Sequence, residues 1–152
     1  MVLKDDKIPQ KDLEIKENAL TPAIFSSLRP VEQFQVYQAE DIEIALKNTL
    51  YSIVIYHKEI PIAMGRIIGD DRITFIIKDV AVSSDYRKKG IGNLIMKYLL
   101  NYIQLKGSDC AYIGLMSTLN NEHFYEKFGF KKRPNDKQGH GMVKFLEKRS
   151  MS

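Results

Sequence analysis

At 152 residues, with 44% hydrophobic and 28% charged positions, the chain has the make-up of one soluble globular domain with room for a core. A net charge of +4 admits an anionic ligand but is too weak to argue for nucleic acid, and no run approaches the roughly 18 apolar residues of a membrane span. The single cysteine, Cys110, excludes an internal disulfide and fits a reducing cytoplasm; its place at the head of an apolar run predicts an inert, packed thiol. The charged N-terminus has no apolar signal core, so the expectation is a cytoplasmic protein forming a single domain over residues 1–152, with residues 1 to about 12 loosely held.

In chain order, EIKENAL alternates weakly as a first strand, and TPAIFSSL opens a helix with Thr21 as N-cap and Pro22 at the first helical position. AEDIEIALKNTL places Ile42, Ala45, Leu46 and Leu50 on one helical stripe, with acids in the first turn. YSIVIYH and IPIAMGRIIGD read as paired strands joined by HKEIP. GDDR is a turn, and ITFIIKDVAV is the next strand. Its alternate faces, Ile73, Phe75, Ile77, Asp79, Ala81 and Thr74, Ile76, Lys78, Val80, Val82, are both mostly apolar, which predicts cover on both sides. A helix follows with Ile91, Leu94, Ile95, Tyr98, Leu99, Tyr102 and Ile103 at amphipathic spacing, ended by Gly107. AYIGLMS is a short strand parallel to the preceding one through that helical crossover. NNEHFYEKFG is a short helix stopped by Gly129, FKKRPNDKQGHG begins as a strand and becomes a polar turn, and MVKFLEK is a last strand. The order describes an α/β domain with a mixed sheet.

The stretch AVSSDYRKKGIGNLIMKYLL, residues 81–100, joins an apolar strand to an apolar helix through three cations and two glycines. The first N–H groups of a helix lack intrahelical acceptors, and together with the helix dipole they attract anions. Gly90 and Gly92 clear side chains from the backbone, and Arg87, Lys88 and Lys89 add charge, a combination suited to a diphosphate. A P-loop would need Lys-Ser/Thr after the glycines, and a dinucleotide fingerprint would need a third glycine where Ile95 stands, so neither nucleotide motif fits.

The segment VAVSSDYRKKGIGNLIMKYLL resembles the acetyl-CoA-binding motif of the GNAT superfamily of N-acetyltransferases, in which a valine-ended strand is followed four residues later by [RQ]-x-x-G-x-[GA]. Val82, Arg87, Gly90 and Gly92 match every defined position. NNEHFYEKFGF is similar to the family's Asn…Tyr-x-x-x-Gly-Phe segment. RIIGDD and Gly141-Met142 also look like a bacterial and plastid subgroup, from which Lys78 departs because tryptophan is often found there. The resemblance covers about residues 30–147. It implies a GNAT-like, mostly antiparallel twisted sheet with flanking helices and a central parallel strand pair joined by a helix. It also implies acetyl-CoA as co-substrate, no metal, an amine acceptor rather than nucleic acid or membrane, and admits a homodimer.

By the same resemblance, the backbone of Val80 and Val82 holds the pantetheine arm and thioester carbonyl, and N–H groups from Lys88, Lys89, Gly90, Ile91, Gly92 and Asn93 bind the diphosphate beside Arg87. Tyr125 matches the tyrosine near the coenzyme sulfur; a phenol, protonated at neutral pH, can donate to a departing thiolate. Its alternative is a core aromatic beside Phe124 and Phe128. Asn121, one turn earlier, either bonds the pantetheine arm or caps the helix. Asp79, a charge in an apolar strand, either takes a proton from the acceptor ammonium or forms a structural pair with Arg66. His123 and His140 have suitable pKa values for a base, but helical geometry turns His123 away from Tyr125 and His140 lies in a polar segment. The activity implied is direct transfer of acetyl from acetyl-CoA to a primary amine. The alternative is an acyl-CoA-binding module without turnover.

Overall fold

A computed structural model describes residues 7–30 and 35–148. The chain forms two compact units, residues 1–115 and residues 116–152. The first holds one five-stranded sheet, with strands β1 (Leu13–Glu17), β2 (Tyr51–His57), β3 (Ile60–Gly69), β4 (Thr74–Val82) and β5 (Tyr112–Gly114) side by side in that order. β1 to β4 are antiparallel neighbours, and β4 and β5 are parallel through helix α3 (Ile91–Lys106). The mixed α/β architecture is the one expected, although the parallel pair lies at the edge of the described sheet rather than in its centre.

Helices cover both faces. Gly65 of β3 lies against α3: a Cβ there would stand 2.8 Å from Ile95 Cγ2 and 3.0 Å from Leu99 Cδ1. Its neighbours Met64 and Arg66 face the other way, as the two-residue period of a strand requires. Met64 packs with Phe25 of α1 (Pro22–Leu28) and Ile42 of α2 (Ala39–Lys47). Thr21 caps α1 as expected, its Oγ1 accepting from the Ile24 N–H at 3.3 Å, with Pro22 following. α2 stops at Lys47, earlier than its apolar stripe suggests. The Asn48 and Thr49 side chains donate back to the Ile44 and Ala45 carbonyls, at 2.9 and 3.3 Å, and so satisfy the helix end.

β2 and β3 turn over through Lys58 and Glu59, both with positive φ (51° and 65°). Two successive left-handed residues match the right-handed twist of the strands, but neither side chain suits that region. Cys110 lies in the connection between α3 and β5, exposed and with φ 63°, which corrects the expectation of a packed thiol: the apolar run begins one residue later.

The second unit contains α4 (Glu122–Glu126), stopped near Gly129, whose φ is 92°. The strands expected at the start of FKKRPNDKQGHG and over MVKFLEK do not form. After Phe130 a local polar turn satisfies its own backbone: Arg133 Nε donates to the Gly139 carbonyl at 2.7 Å, and the Asn135 side chain accepts from the Lys137 and Gln138 N–H groups. Pro134 supplies no donor. MVKFLEK has strand propensity without a ladder partner among the described residues, and Met142, Val143, Phe145 and Leu146 stay 59–88% exposed. Among the described residues no helix is long and apolar enough to cross a membrane.

Gly65→Ala is expected to lower stability by about 1–3 kcal/mol, because the stiff Ile95 branch leaves no room for a methyl group, and urea unfolding measures it. Glu59→Gly is expected to raise stability by about 1 kcal/mol on the same assay, by removing a side chain from a left-handed position.

Candidate active site

The site begins with a change of phase in β4. Met64 of β3 pairs with Ala81, and Arg66 pairs with Lys78, so Gly65 stands opposite two residues, Asp79 and Val80. This is a β-bulge, with Asp79 at φ 55°. Short acids are among the few side chains that enter the left-handed region without a large penalty. Before the bulge Phe75 points toward the α3 side, where it approaches Gly107; after it, Val80 points to that side beside Ile95 and Leu99. Lys78 and Asp79 consequently both face the α1–α2 side, where Ala81 also packs. The strict alternation expected from sequence would have placed Asp79 with Phe75 and Ile77.

β5 pairs with β4 only from Thr74 to Ile76. From Ile77 to Val82 the β5-side edge of β4 has no strand partner among the described residues, and Val80 and Val82, the residues expected to hold the coenzyme arm, lie on this stretch. β4 leads through a 3-10 turn (Ser84–Tyr86) to Arg87, which is extended, and then to Lys88 at φ 61°. Gly90, at φ 81° and ψ 5°, is the N-cap of α3 and offers no side-chain cap. A Cβ at Gly90 would have open space around it, so glycine serves the left-handed turn there rather than a tight contact. The first intrahelical bond runs from the Leu94 N–H to the Gly90 carbonyl at 3.2 Å, so the Ile91 and Gly92 N–H groups precede the helical ladder. The Ile91 side chain is buried and anchors the helix start in the core, while Arg87, Lys88 and Asn93 are exposed and Lys89 and Gly92 are half-buried.

Asp79 is held differently from the expected proton acceptor. Arg66 Nε donates to its Oδ2 at 2.7 Å, and Arg29 Nε lies 3.4 Å from its Oδ1, with the carboxylate only 5% exposed. Arg66 Nη1 also donates to Thr49 Oγ1 at 3.1 Å, Arg29 Nη1 donates to the Gln35 carbonyl at 2.9 Å, and both guanidinium groups lie over the Phe25 ring. Both carboxylate oxygens are engaged by guanidinium groups, the structural pairing with Arg66 that stood as the alternative to a general base. Arg29, at the end of α1, carried no signal in the sequence that linked it to Asp79; Gly65, an isolated glycine inside a strand, was the available sign of the bulge. The cluster borders a cavity of about 260 Å³ whose lining includes Tyr37, Asp41, Leu46 and Lys78.

Asn121 and Tyr125 belong to the second unit. Asn121 is the exposed N-cap of α4 by position; its amide donates to Thr118 Oγ1 and makes no side-chain cap bond to the helix. The Tyr125 ring is packed edge-on against Phe124 (5.0 Å between centroids) and Phe130 (6.3 Å), and burial raises the phenol above its ordinary pKa. His123 is almost fully exposed, 3.5 Å from Glu126, and His140 is exposed.

Removing the carboxylate in Asp79→Ala leaves two buried guanidinium groups facing each other and is expected to cost about 3–5 kcal/mol in urea unfolding. Unchanged stability in that variant would return Asp79 to the role of an uncommitted acid.

Residues 48–132, more than half of the chain, match the model of the acetyltransferase (GNAT) domain. The chain is 33% identical over 76 residues to the uncharacterized N-acetyltransferase CgeE of Bacillus subtilis, and 31% identical over 100 residues to the chloroplastic GCN5-related N-acetyltransferase 1 of Arabidopsis thaliana. These alignments take in 49% and 64% of the chain but only 29% and 50% of the relatives. Among solved structures, SA2161 of meticillin-resistant Staphylococcus aureus, a probable acetyltransferase of unknown function, superposes with TM-score 0.78 at 28% identity over 88% of this chain and 99% of that one. A GNAT-family acetyltransferase of Streptococcus pneumoniae, SP0256, shares the fold with TM-score 0.70 at 20% identity, over 90% of this chain and 99% of that one. The chain belongs to the GNAT family of N-acetyltransferases.

Proposed function

We propose that the protein transfers an acetyl group from acetyl-CoA to a primary amine by direct attack in a ternary complex. The observation that carries this reading is the continuity of two features on one strand, turn and helix. The β4 edge from Ile77 to Val82, without a strand partner among the described residues, runs straight into a cationic turn and the N-terminus of α3. The edge suits an extended arm with amide groups, such as pantetheine, because such an arm can take the hydrogen bonds of a missing strand. The turn suits a diphosphate: N–H groups of Ile91 and Gly92, the helix dipole, and the charges of Arg87, Lys88 and Lys89 act together.

The thioester is already activated, so the protein's main task is alignment of a neutral amine with the carbonyl carbon. The new C–N bond forms as the C–S bond breaks. The nitrogen, made cationic by the attack, passes its proton to solvent water, and the departing thiolate takes a proton. Tyr125 is assigned the second of these transfers from its place in the family motif. Its burial supports the assignment, since a phenol held above its usual pKa stays protonated throughout the neutral range. Asp79 acts at one remove, by holding Arg66 and Arg29 at the wall of the cavity. That cavity, with Phe25 and Tyr37 beside charged groups, is the place for the acceptor, and about 260 Å³ suits a small amine or one side chain rather than a folded surface.

Thermal unfolding with and without acetyl-CoA tests the coenzyme site directly. Acetyl-CoA at about a hundred times its Kd adds roughly 2.7 kcal/mol and raises Tm, and ATP at the same concentration leaves Tm nearly unchanged. No shift at millimolar acetyl-CoA removes the reading of residues 87–93 as a diphosphate cradle. Tyr125→Phe is expected to lower kcat by about 10²-fold or more while leaving the acetyl-CoA affinity nearly intact, as loss of a general acid does. Because the phenol is shifted upward, the activity of the wild type should show no alkaline decline from this group below about pH 10. A decline near pH 8 that vanishes in the variant contradicts the assignment.

A further inference from the structure

The turn that carries Arg87 toward α3 is held at two points. At its start the Ser83 N–H donates to the Ile62 carbonyl at 2.7 Å, which extends the β3–β4 ladder by one bond. At its end the Tyr86 hydroxyl lies 2.8 Å from His57 Nδ1, with the two rings edge-on at 5.3 Å and 74°. Tyr86 and His57 are 29 positions apart and both half-buried; His57 lies outside the recognised motif, and Tyr86 stands within its segment but at none of the defined positions.

We propose that the His57–Tyr86 hydrogen bond is a positioning device for the coenzyme diphosphate, an inference that rests on the reading of residues 87–93 as its cradle. His57 is well placed for this. It is the last residue of β2, and its backbone is paired with Leu13 on one side and Ile60 on the other, so the imidazole stands on an interior strand. The Lys58-Glu59 turn, left-handed at both positions, follows at once and fixes where the strand ends. Tyr86 is the last residue of the 3-10 turn, and only Arg87, Lys88 and Lys89 separate it from Gly90. In those few residues the backbone enters the left-handed region at Lys88 and again at Gly90. A cradle made of backbone N–H groups binds well only when its donors are already in place, because an anion that must order the loop first loses the corresponding affinity. Tying Tyr86 to the sheet transmits the sheet's rigidity to the residues that meet the anion. Either direction of the hydrogen bond serves, since the imidazole nitrogen accepts from the hydroxyl in one tautomer and donates to it in the other.

Tyr86→Phe keeps the ring contact and deletes only the hydroxyl. Loss of this bond is expected to weaken acetyl-CoA binding by about three- to tenfold, the scale of one hydrogen bond, in calorimetric titration. His57→Phe should weaken it equally, the double variant no further, and His57→Gln, which still offers a polar partner, should recover part of the loss. The kcat at saturating acetyl-CoA should hold. The decisive comparison uses S-acetylpantetheine, which carries the thioester and arm without the diphosphate: its kcat/KM should be the same in wild type and Tyr86→Phe. Equal acetyl-CoA affinity in wild type and Tyr86→Phe overturns the inference, and so does an equal loss on S-acetylpantetheine, which would make the pair a general support of the fold. If Tyr86→Phe lowers Tm, the ratio between the two substrates on that same variant still decides. Failure of the wild type to bind acetyl-CoA at all is a different result, which removes the cradle and the device with it.

Discussion

Opposite Gly65, β4 contributes two residues where β3 contributes one, and the geometry of the site follows from that mismatch. A strand without a bulge would send Asp79 to the α3 face, among Ile95, Leu99 and Phe75, where an ionised carboxylate has no partner. The extra residue reverses the phase. Asp79 then lies on the α1–α2 face between two arginines, and Val80 takes its place against α3. Gly65 makes this possible from the other strand, because a side chain there would collide with the helix that closes that face. The bulge, the glycine and the ion cluster form one device.

The same device relates the chemistry to the sheet. Past Ile76 the fourth strand keeps its bonds to β3 while its other edge has no strand partner among the described residues, and the strand then leads into the turn and α3. Under the proposed function, an extended arm and a diphosphate meet one continuous piece of backbone. The first depends on unpaired strand groups and the second on unpaired helix groups, both of which folding leaves behind wherever a regular element ends or lacks a neighbour. Under the proposed function the cationic side chains add attraction at longer range, which salt screens at the exposed Arg87 and Lys88, so the reading assigns selectivity to placement of the backbone donors.

What could be read from the sequence was whatever depends on near neighbours. Thr21-Pro22 marked a helix start, the spacing of Ile91, Ile95, Leu99 and Ile103 marked the buried stripe of α3, and Gly90 marked the turn before it. Contacts decided far along the chain were not legible. The partners of Asp79 come from positions 29 and 66, and the choice between a base and a structural ion depends on where those arginines lie, which periodicity does not record. MVKFLEK failed as a strand for a related reason: propensity describes a residue's fitness for a ladder, while the ladder itself requires a second strand. The pairing of His57 with Tyr86 had no local sign at all.

A buried carboxylate with two arginines is a costly way to gain stability, since well-packed apolar groups often do as well. Its value here is better understood as register. In the absence of the cluster, β4 could satisfy much of its apolar surface in more than one alignment, because Ile76, Val80, Ala81 and Val82 are all only partly buried. A slip by one residue would carry Asp79 off both guanidinium groups and into an apolar face, leaving three buried charges unmatched instead of joined. The penalty falls on the misaligned states far more heavily than any gain falls on the native one. The cluster therefore selects the bulged alignment, and with it the position of Val80 and Val82 along the open edge. Under the proposed function this gives Asp79 a part in acetyl transfer without contact with the reacting atoms, because it selects the β4 backbone groups that line the open edge.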